Sequence, residues 1–255
     1  MTDPVHAASK PLAGKAALIT GGARRLGAVI AHALHEAGAN VVLHYRSSAE
    51  AATTLAGGLN AARPGSAVLA QCDLLDIASL EQLARTAIAA FGRLDILVNN
   101  ASTFYPTPMG EIGERTWDDL IGTNLKAPLF LAQAAAPALH ENGGLILNLV
   151  DIHGMRPLRR HPVYSIAKAG LIMLTKSLAR ELGPQVRVNA IAPGPVMWPD
   201  AGLDEVLRKR IIDRTALKRG GSPEDVARAA LYFACDAPFV TGQVLAIDGG
   251  RSVGW

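Results

Sequence analysis

The feature that most constrains this chain is an alternation kept up along nearly its whole length. Short, almost continuously apolar runs are separated by longer amphipathic segments. The runs fall at residues 16–20, 40–44, 67–71, 96–99, 145–150, 187–191 and 244–247. Strands buried on both faces read this way, because neither face needs polar side chains. Between them, residues 26–37, 79–91 and 163–182 carry apolar positions at helical spacing. Ser222-Pro223-Glu224-Asp225 adds a helix start, with a capping hydroxyl, a proline in the first turn and acids at the positive end. The alternation predicts a doubly wound, seven-stranded parallel sheet, a Rossmann-like α/β fold in a single domain. That domain is expected over residues 14–255, behind a loose leader at 1–13.

Composition removes the other classes. The chain has 255 residues, 49% of them hydrophobic, and 25 Lys+Arg against 22 Asp+Glu leave a net charge of +3. A disordered chain would need low hydrophobicity and high net charge. With 25 glycines and 15 prolines the chain is punctuated too often for a coiled coil. No apolar run reaches the ~20 residues of a membrane-spanning helix. Residues 1–11 lack the apolar core of a secretory signal. Cys72 and Cys235 form no metal-like spacing, so a reduced cytoplasmic protein without a metal is expected. Basic residues gather at 156–160 and 208–219. Nucleic-acid binding would show a denser stripe and a recognisable module, so solvated surface is the expectation for most of these charges.

In a doubly wound sheet, ligands bind beyond the C-terminal ends of the strands, so the residues after each run carry the chemistry. The first run leads into Thr20-Gly21-Gly22-Ala23-Arg24-Arg25-Leu26-Gly27 and then a helix. Glycines at such a turn let the backbone approach a pyrophosphate, which sits on the helix N-terminus. The second run ends in His44-Tyr45-Arg46-Ser47. An NAD site would place a carboxylate near here for the ribose 2′-hydroxyl. A guanidinium beside a serine suits a 2′-phosphate instead, which favours NADPH over a surface role for Arg46. Asp73-Leu74 and Asn100-Ala101-Ser102 follow the third and fourth runs at the same sheet edge. Either segment taken alone would also fit a loop with Asx-turn chemistry. Tyr164 and Lys168 lie four apart at the start of a helical pattern, so they share a face. A nearby ammonium favours ionised tyrosine, and such a tyrosine can exchange a proton with a substrate while a nicotinamide exchanges the hydride.

From about residue 15 to its end the chain resembles the short-chain dehydrogenase/reductase superfamily. The resemblance rests on the glycine turn, Asn99-Asn100-Ala101, Asn124, Tyr164 with Lys168, Pro193-Gly194 and Asp248-Gly249-Gly250. It is more particularly similar to the pteridine reductases. Arg25 stands where the common TGxxxGxG turn has its middle glycine, giving TGxxxRxG. Residues 99–108 closely resemble that family's NNASSFYPTP segment, and His44-Tyr45-Arg46-Ser47 resembles its phosphate-binding loop, one residue shorter. Asp151 stands thirteen residues before Tyr164, where most of the superfamily has serine.

The resemblance implies an NADPH-dependent reductase of pterins, with folates as further candidate substrates, and a homotetramer. Its rivals are a carbonyl reductase, for example of 3-oxoacyl thioesters, and a non-catalytic NADPH sensor. The implied catalytic residues are Tyr164, Lys168, Asp151 and Asn124, the last holding a water in the proton relay. The implied cofactor contacts are Gly21, Arg25, Leu26, Gly27, His44, Tyr45, Arg46, Ser47, Asp73, Leu74, Asn100, Ala101, Ser102, Tyr164, Lys168, Pro193 and Gly194. Arg25, Ser102, Phe104, Asp151, Tyr164 and Trp198 are expected at the substrate, the pterin lying between Phe104 and the nicotinamide. A carboxyl at 151 can donate to or relay protons for ring nitrogens, and it can also simply cap its loop. Trp198 either closes over the substrate or packs. After Pro193-Gly194 the chain lacks the threonine many relatives place on the cofactor. The basic run 156–161 could meet a folate's glutamate tail, although a solvated loop is the stronger expectation.

Overall fold

The computed structural model describes residues 10–198 and 204–254. Seven parallel strands form one sheet in the order β3-β2-β1-β4-β5-β6-β7. They are β1 Ala16–Ile19, β2 Asn40–Tyr45, β3 Ala67–Gln71, β4 Ile96–Asn99, β5 Leu145–Leu149, β6 Arg187–Pro193 and β7 Val244–Ile247. The expected runs at 67–71, 96–99 and 244–247 match their strands end to end. β1 and β5 each stop one residue early, and β6 runs two residues further, to the cleft edge.

Eight α-helices lie among the described residues: α1 Arg25–Glu36, α2 Ala49–Ala62, α3 Ile77–Phe91, α4 Glu114–Ile121, α5 Ala127–Glu141, α6 Pro162–Glu181, α7 Glu205–Asp213 and α8 Pro223–Leu231. α3 begins two residues before the expected 79 because Asp76 caps it, its carboxylate accepting from Ala78 N at 3.1 Å. A π-helical turn, Gly122–Lys126, joins α4 to α5.

Alternation along the strands builds both core layers. Ala17, Ile19, Val41, Leu43 and Val98 face α1 and α8, meeting Ile30, Leu34, Val226 and Phe233. Their neighbours Leu18, Val42 and Leu97 point the other way, onto Leu80 and Leu83 of α3 and Leu131 and Leu139 of α5. Each fully buried Val, Leu, Ile or Phe among them contributes about 1.5–3 kcal/mol. Leu12, expected in the leader, packs into the core instead. Leu12 is completely buried in the first layer, and its N–H donates to Ala37 O. One leucine with a core pocket to fill is enough to order that stretch.

Strand order reverses between β1 and β4. The crevice beyond their C-terminal ends is the site such a sheet offers a ligand.

Candidate active site

The glycine turn is held from three sides. Gly21 sits at φ +59°, a conformation that favours glycine. A Cβ on Gly27 would lie 2.3 Å from Gly21 O and 2.5 Å from Asn100 Nδ2, so no side chain fits there. Asn100 donates to the carbonyls of Thr20 and Gly21, at 2.9 and 3.1 Å. The Thr20 hydroxyl accepts from the backbone N–H of Asn100 and Ala101, locking the turn to the loop after β4. Behind the turn lies His44, buried at the end of β2. Its Nδ1 accepts from Gly21 N at 3.1 Å, while Nε2 faces Cys72 O at 3.2 Å. A backbone N–H on one side and a carbonyl on the other require the neutral ring protonated at Nε2. Burial pushes the His44 pKa below its ordinary value and favours that form.

With the turn fixed, the first N–H groups of α1 open toward the cleft. The first turn of α1 has no acidic residue, and Arg24 at its head makes no side-chain cap. The helix therefore keeps its positive end for an anion. Arg25 adds a guanidinium from an unusual backbone position, φ +53°. Left-handed geometry costs a non-glycine residue roughly 1–2 kcal/mol. Its Nη2 donates to Trp198 O at 3.2 Å.

A cleft of about 460 Å³ runs along this edge, within the ~300–1,000 Å³ of small-molecule sites. Every residue expected at the cofactor lines it, from Gly21, Arg25, Leu26 and Gly27 through Arg46, Ser47, Asp73, Leu74 and Ser102 to Pro193 and Gly194. Asp151, Tyr164 and Lys168 line it as well. Phe104, Asn124 and Trp198 do not, and lie around it. Thr103, Thr123, Val150 and Met197 line it without having been singled out. Val150 follows β5 directly, so its position at the sheet edge was a usable signal.

The reacting groups meet where α6 passes the end of β5. Asp151 heads a 3₁₀ turn, Ile152–Gly154, and uses both carboxylate oxygens. Oδ1 accepts from His153 N at 2.8 Å, and Oδ2 accepts from the Tyr164 hydroxyl at 2.9 Å. One oxygen caps the turn, and the other is within hydrogen-bond reach of Tyr164. A Cβ on Gly154 would come within 2.8 Å of Lys168 C. The missing side chain lets the turn rest directly on the α6 backbone.

Tyr164 differs from expectation. Burial, then the charge of Asp151 and its hydrogen bond, hold the phenol pKa far above its ordinary value, against a smaller opposing effect of Ser102. Lys168 does not draw the proton off. Its ammonium lies 5.7 Å from the Tyr164 ring centre and donates to Leu149 O at 2.8 Å. Burial pulls Lys168 down to about 8, opposed by Asp151. The Tyr164 phenol is thus held in its protonated form.

Asn124 sits fully buried in the π-helical turn. Its nitrogen donates to the carbonyls of Leu120 (2.9 Å) and Thr103 (3.0 Å), and its oxygen accepts from the Ser102 hydroxyl at 2.7 Å. It anchors the Ser102–Thr103 segment, and its side chain retains only a lone pair on the oxygen for a water. Phe104 is 56% exposed. It stacks on His161 with ring centres 4.7 Å apart and planes 7° apart, and meets Tyr164 edge to face at 4.8 Å. His161 is a neighbour the sequence reading missed. Trp198 packs, with the Arg208 guanidinium 5.5 Å over its ring. The basic run is anchored rather than loose: Arg160 O accepts from Thr107 N at 2.7 Å, although Arg159 and Arg160 are exposed.

Among the described residues no group of three or more His, Cys, Asp or Glu could hold a metal, and no helix is long and apolar enough to cross a membrane. A family model described as enoyl-(acyl carrier protein) reductase matches residues 21–252. The chain is 37% identical over 280 residues to pteridine reductase 1 of Leishmania tarentolae, covering 93% of this chain and 96% of that protein. It is 36% identical over 241 residues to a 3-oxoacyl-(acyl-carrier-protein) reductase of Staphylococcus aureus, covering 92% and 97%. A short-chain type dehydrogenase/reductase of Picea abies is 34% identical, covering 94% and 93%. With similarity along almost the whole chain, and a Tyr164–Lys168 pair at the sheet edge these folds use, the protein belongs to the short-chain dehydrogenase/reductase superfamily and is an oxidoreductase of pteridine-reductase-like sequence.

Proposed function

We propose that this oxidoreductase uses NADPH to reduce pterins, taking dihydropterins to tetrahydropterins. The observation that carries the reading is Asp151. A carboxylate oxygen lies 2.9 Å from the hydroxyl of the donor tyrosine, where carbonyl-reducing relatives have serine. A carbonyl oxygen needs only a hydrogen-bond donor and one proton. A pterin ring nitrogen needs a proton delivered in step with attack at the adjacent carbon, and a carboxyl can pass protons on. The similarity to a protein named pteridine reductase supports the same reading.

The residues fit a dinucleotide. The cradle at Gly27 excludes any Cβ, the N-terminus of α1 faces the cleft, and no carboxylate stands at Arg46-Ser47 to oppose a 2′-phosphate. Arg46 and Ser47 would hold that phosphate, and Lys168, with donors beyond the one on Leu149 O, would hold the nicotinamide ribose. A bound nicotinamide supplies the hydride. Tyr164 donates its hydroxyl proton to the ring nitrogen and is reprotonated through Asp151, which opens to the cleft. Lys168 offsets the charge left on the phenolate. Phe104, stacked on His161 and still 56% exposed, would offer apolar ring surface beside Tyr164 to a flat heterocycle.

The test is NADPH oxidation with dihydrobiopterin, dihydromonapterin, dihydrofolate and acetoacetyl thioester in parallel, for the native protein and Asp151→Ser. Pterin turnover is expected, with a loss in Asp151→Ser that the thioester does not share. Turnover of the thioester alone would make the protein a carbonyl reductase, like the staphylococcal relative by name. Oxidation with none of the four would leave a dinucleotide sensor.

A further inference from the structure

Phe104 stands on a stretch of chain that is tied down on both sides. Before it, Asn124 Nδ2 donates to Thr103 O at 3.0 Å, and the Ser102 hydroxyl donates to Asn124 Oδ1 at 2.7 Å. After it, the Tyr105 hydroxyl donates to Asp119 Oδ2 at 2.8 Å, and Thr107 N donates to Arg160 O at 2.7 Å. What stays open is the rotation of the Phe104 side chain. A ring that is 56% exposed can turn among its staggered rotamers unless a neighbour selects one. Among the described residues two rings touch it. Tyr164 meets it at an interplanar angle of 78°, and His161 lies nearly parallel to it, at 7° and 4.7 Å between centres.

The parallel partner is itself held in place. His161 stands at the head of α6, yet its side chain makes no cap bond to the helix. A carbonyl oxygen only accepts, so the imidazole Nδ1 donates to Arg159 O, at 2.9 Å, and this fixes the orientation of the ring. His161 N donates to Leu158 O at 3.1 Å, and Leu158 N donates to the Ser165 hydroxyl at 3.1 Å, which ties the turn to α6. Arg160 takes φ +65°, a left-handed conformation that is costly for any residue with a Cβ. From that backbone the Arg160 carbonyl reaches Thr107 N, and the next residue lays its ring on Phe104. The segments 102–107 and 158–161 are thus joined twice, by one hydrogen bond and by one ring stack.

We propose that His161 is a positioning residue, which selects the Phe104 rotamer beside Tyr164 and so sets how tightly the site takes a flat heterocycle. The substrate half of this inference rests on the pterin reading, and the ring half rests on geometry alone. An aromatic pair at such a separation shifts an equilibrium by roughly 3–10-fold beyond its area burial. Without the imidazole the Phe104 ring spreads over further rotamers. The share of molecules with the ring ready to stack falls, and apparent affinity for a flat substrate falls with it. The proton passes between Asp151 and Tyr164 without His161, so the loss belongs to binding and not to the chemical step.

The test uses the full chain labelled with 4-fluorophenylalanine and saturated with NADP⁺, beside steady-state kinetics of the unlabelled protein. The chain has five phenylalanines, and the fluorine resonance of Phe104 is the one that disappears in Phe104→Leu. His161→Ala should shift or broaden that resonance and leave the other four in place. The same variant should raise KM for dihydrobiopterin about 3–10-fold, with kcat within about twofold of native. His161→Phe retains a flat ring to stack on and should bring KM back to near native. An unmoved Phe104 resonance in His161→Ala overturns the proposal, as does an unchanged KM. A His161→Phe variant as impaired as His161→Ala overturns it too, because the imidazole would then act by something other than its stack. Displacement of all five resonances in His161→Ala would make His161 a folding residue and overturn it equally. A native protein that turns over no pterin fails the pterin reading instead, and the fluorine spectra then decide the positioning role by themselves.

Discussion

Arg25 is strained where it stands, and its side chain is the reason a strained residue is worth keeping. Its φ of +53° suits glycine, and its guanidinium reaches Trp198 O across the mouth of the cleft. Two variants separate the backbone from the side chain. Arg25→Ala and Arg25→Gly both lose the guanidinium, but only glycine relieves the left-handed strain. Chemical denaturation should find the glycine variant more stable than the alanine variant by about 1 kcal/mol. Both should lose activity alike, and equal stability of the two would show that the position carries no strain. Arg46 makes the complementary point for selectivity, since it lies exposed in the cleft beside Ser47 with no carboxylate nearby in the loop. Arg46→Asp should lower the ratio of kcat/KM for NADPH over NADH by about 10–100-fold, the worth of one charge-assisted contact. Equal use of both cofactors by the native enzyme would sink the assignment of Arg46.

The element that sets the active site is the short turn between β5 and α6. Gly154 has ordinary backbone geometry, so its role is close approach alone. An added Cβ would lie 2.8 Å from Lys168 C and 2.9 Å from Lys168 O, atoms of a helix backbone that cannot step aside. Gly154→Ala should therefore lift the turn off α6, part Asp151 from Tyr164 and cost about 1–3 kcal/mol by overpacking. Turnover should fall by more than tenfold while dinucleotide affinity holds, because Arg46 and Ser47, proposed to hold the phosphate, are remote from this turn in the chain. Fluorescence titration with NADPH beside steady-state kinetics checks this, and full activity would show that the turn has room. None of this could be read from the sequence, where Gly154 is one glycine in a polar loop. What could be read was whatever repeats or sits at a strand end. The seven apolar runs gave the sheet because double-sided burial leaves a one-letter signature, and strand ends located the cofactor cleft because the fold puts them on one edge. The state of Tyr164 was misjudged because the outcome depends on depth. From spacing alone the Lys168 ammonium favours the ionised phenol, whereas burial and the Asp151 charge hold it protonated. The His161 stack on Phe104 is hidden in the sequence because the partners lie 57 positions apart and their contact depends on loop paths.

At the scale of the whole molecule, two buried histidines tie stability to acid. Burial holds both His44 and His35 below their ordinary pKa of 6.5, His35 with help from Arg63. Above pH 6.5 both are neutral in the folded and the unfolded chain, and nothing is lost. Below it the unfolded chain takes up protons that the fold refuses, so stability falls until the pH passes the depressed folded values. The urea midpoint should drop as pH is lowered from about 7 to about 5. His44→Asn, which retains an acceptor and a donor but does not titrate, should flatten that slope, and an unchanged slope would remove His44 from the account. Assembly is the other property of the whole. The homotetramer implied by the sequence resemblance can be tested on α6, which carries exposed apolar side chains. Ile166 and Met173 are 50% and 63% exposed, seven residues apart on one side of the helix. Between them Gly170 packs directly on Leu125, leaving the outer surface low and apolar. That stripe lies on the helix that also carries Tyr164 and Lys168 among its buried residues. A second copy seated there would stiffen the helix that holds the catalytic pair. Sedimentation should therefore show an oligomer for the native chain, and Ile166→Glu with Met173→Glu should shift it to smaller species with reduced thermal stability. A native chain that sediments as a monomer at micromolar concentration would refute the tetramer and leave the stripe without a partner in this protein.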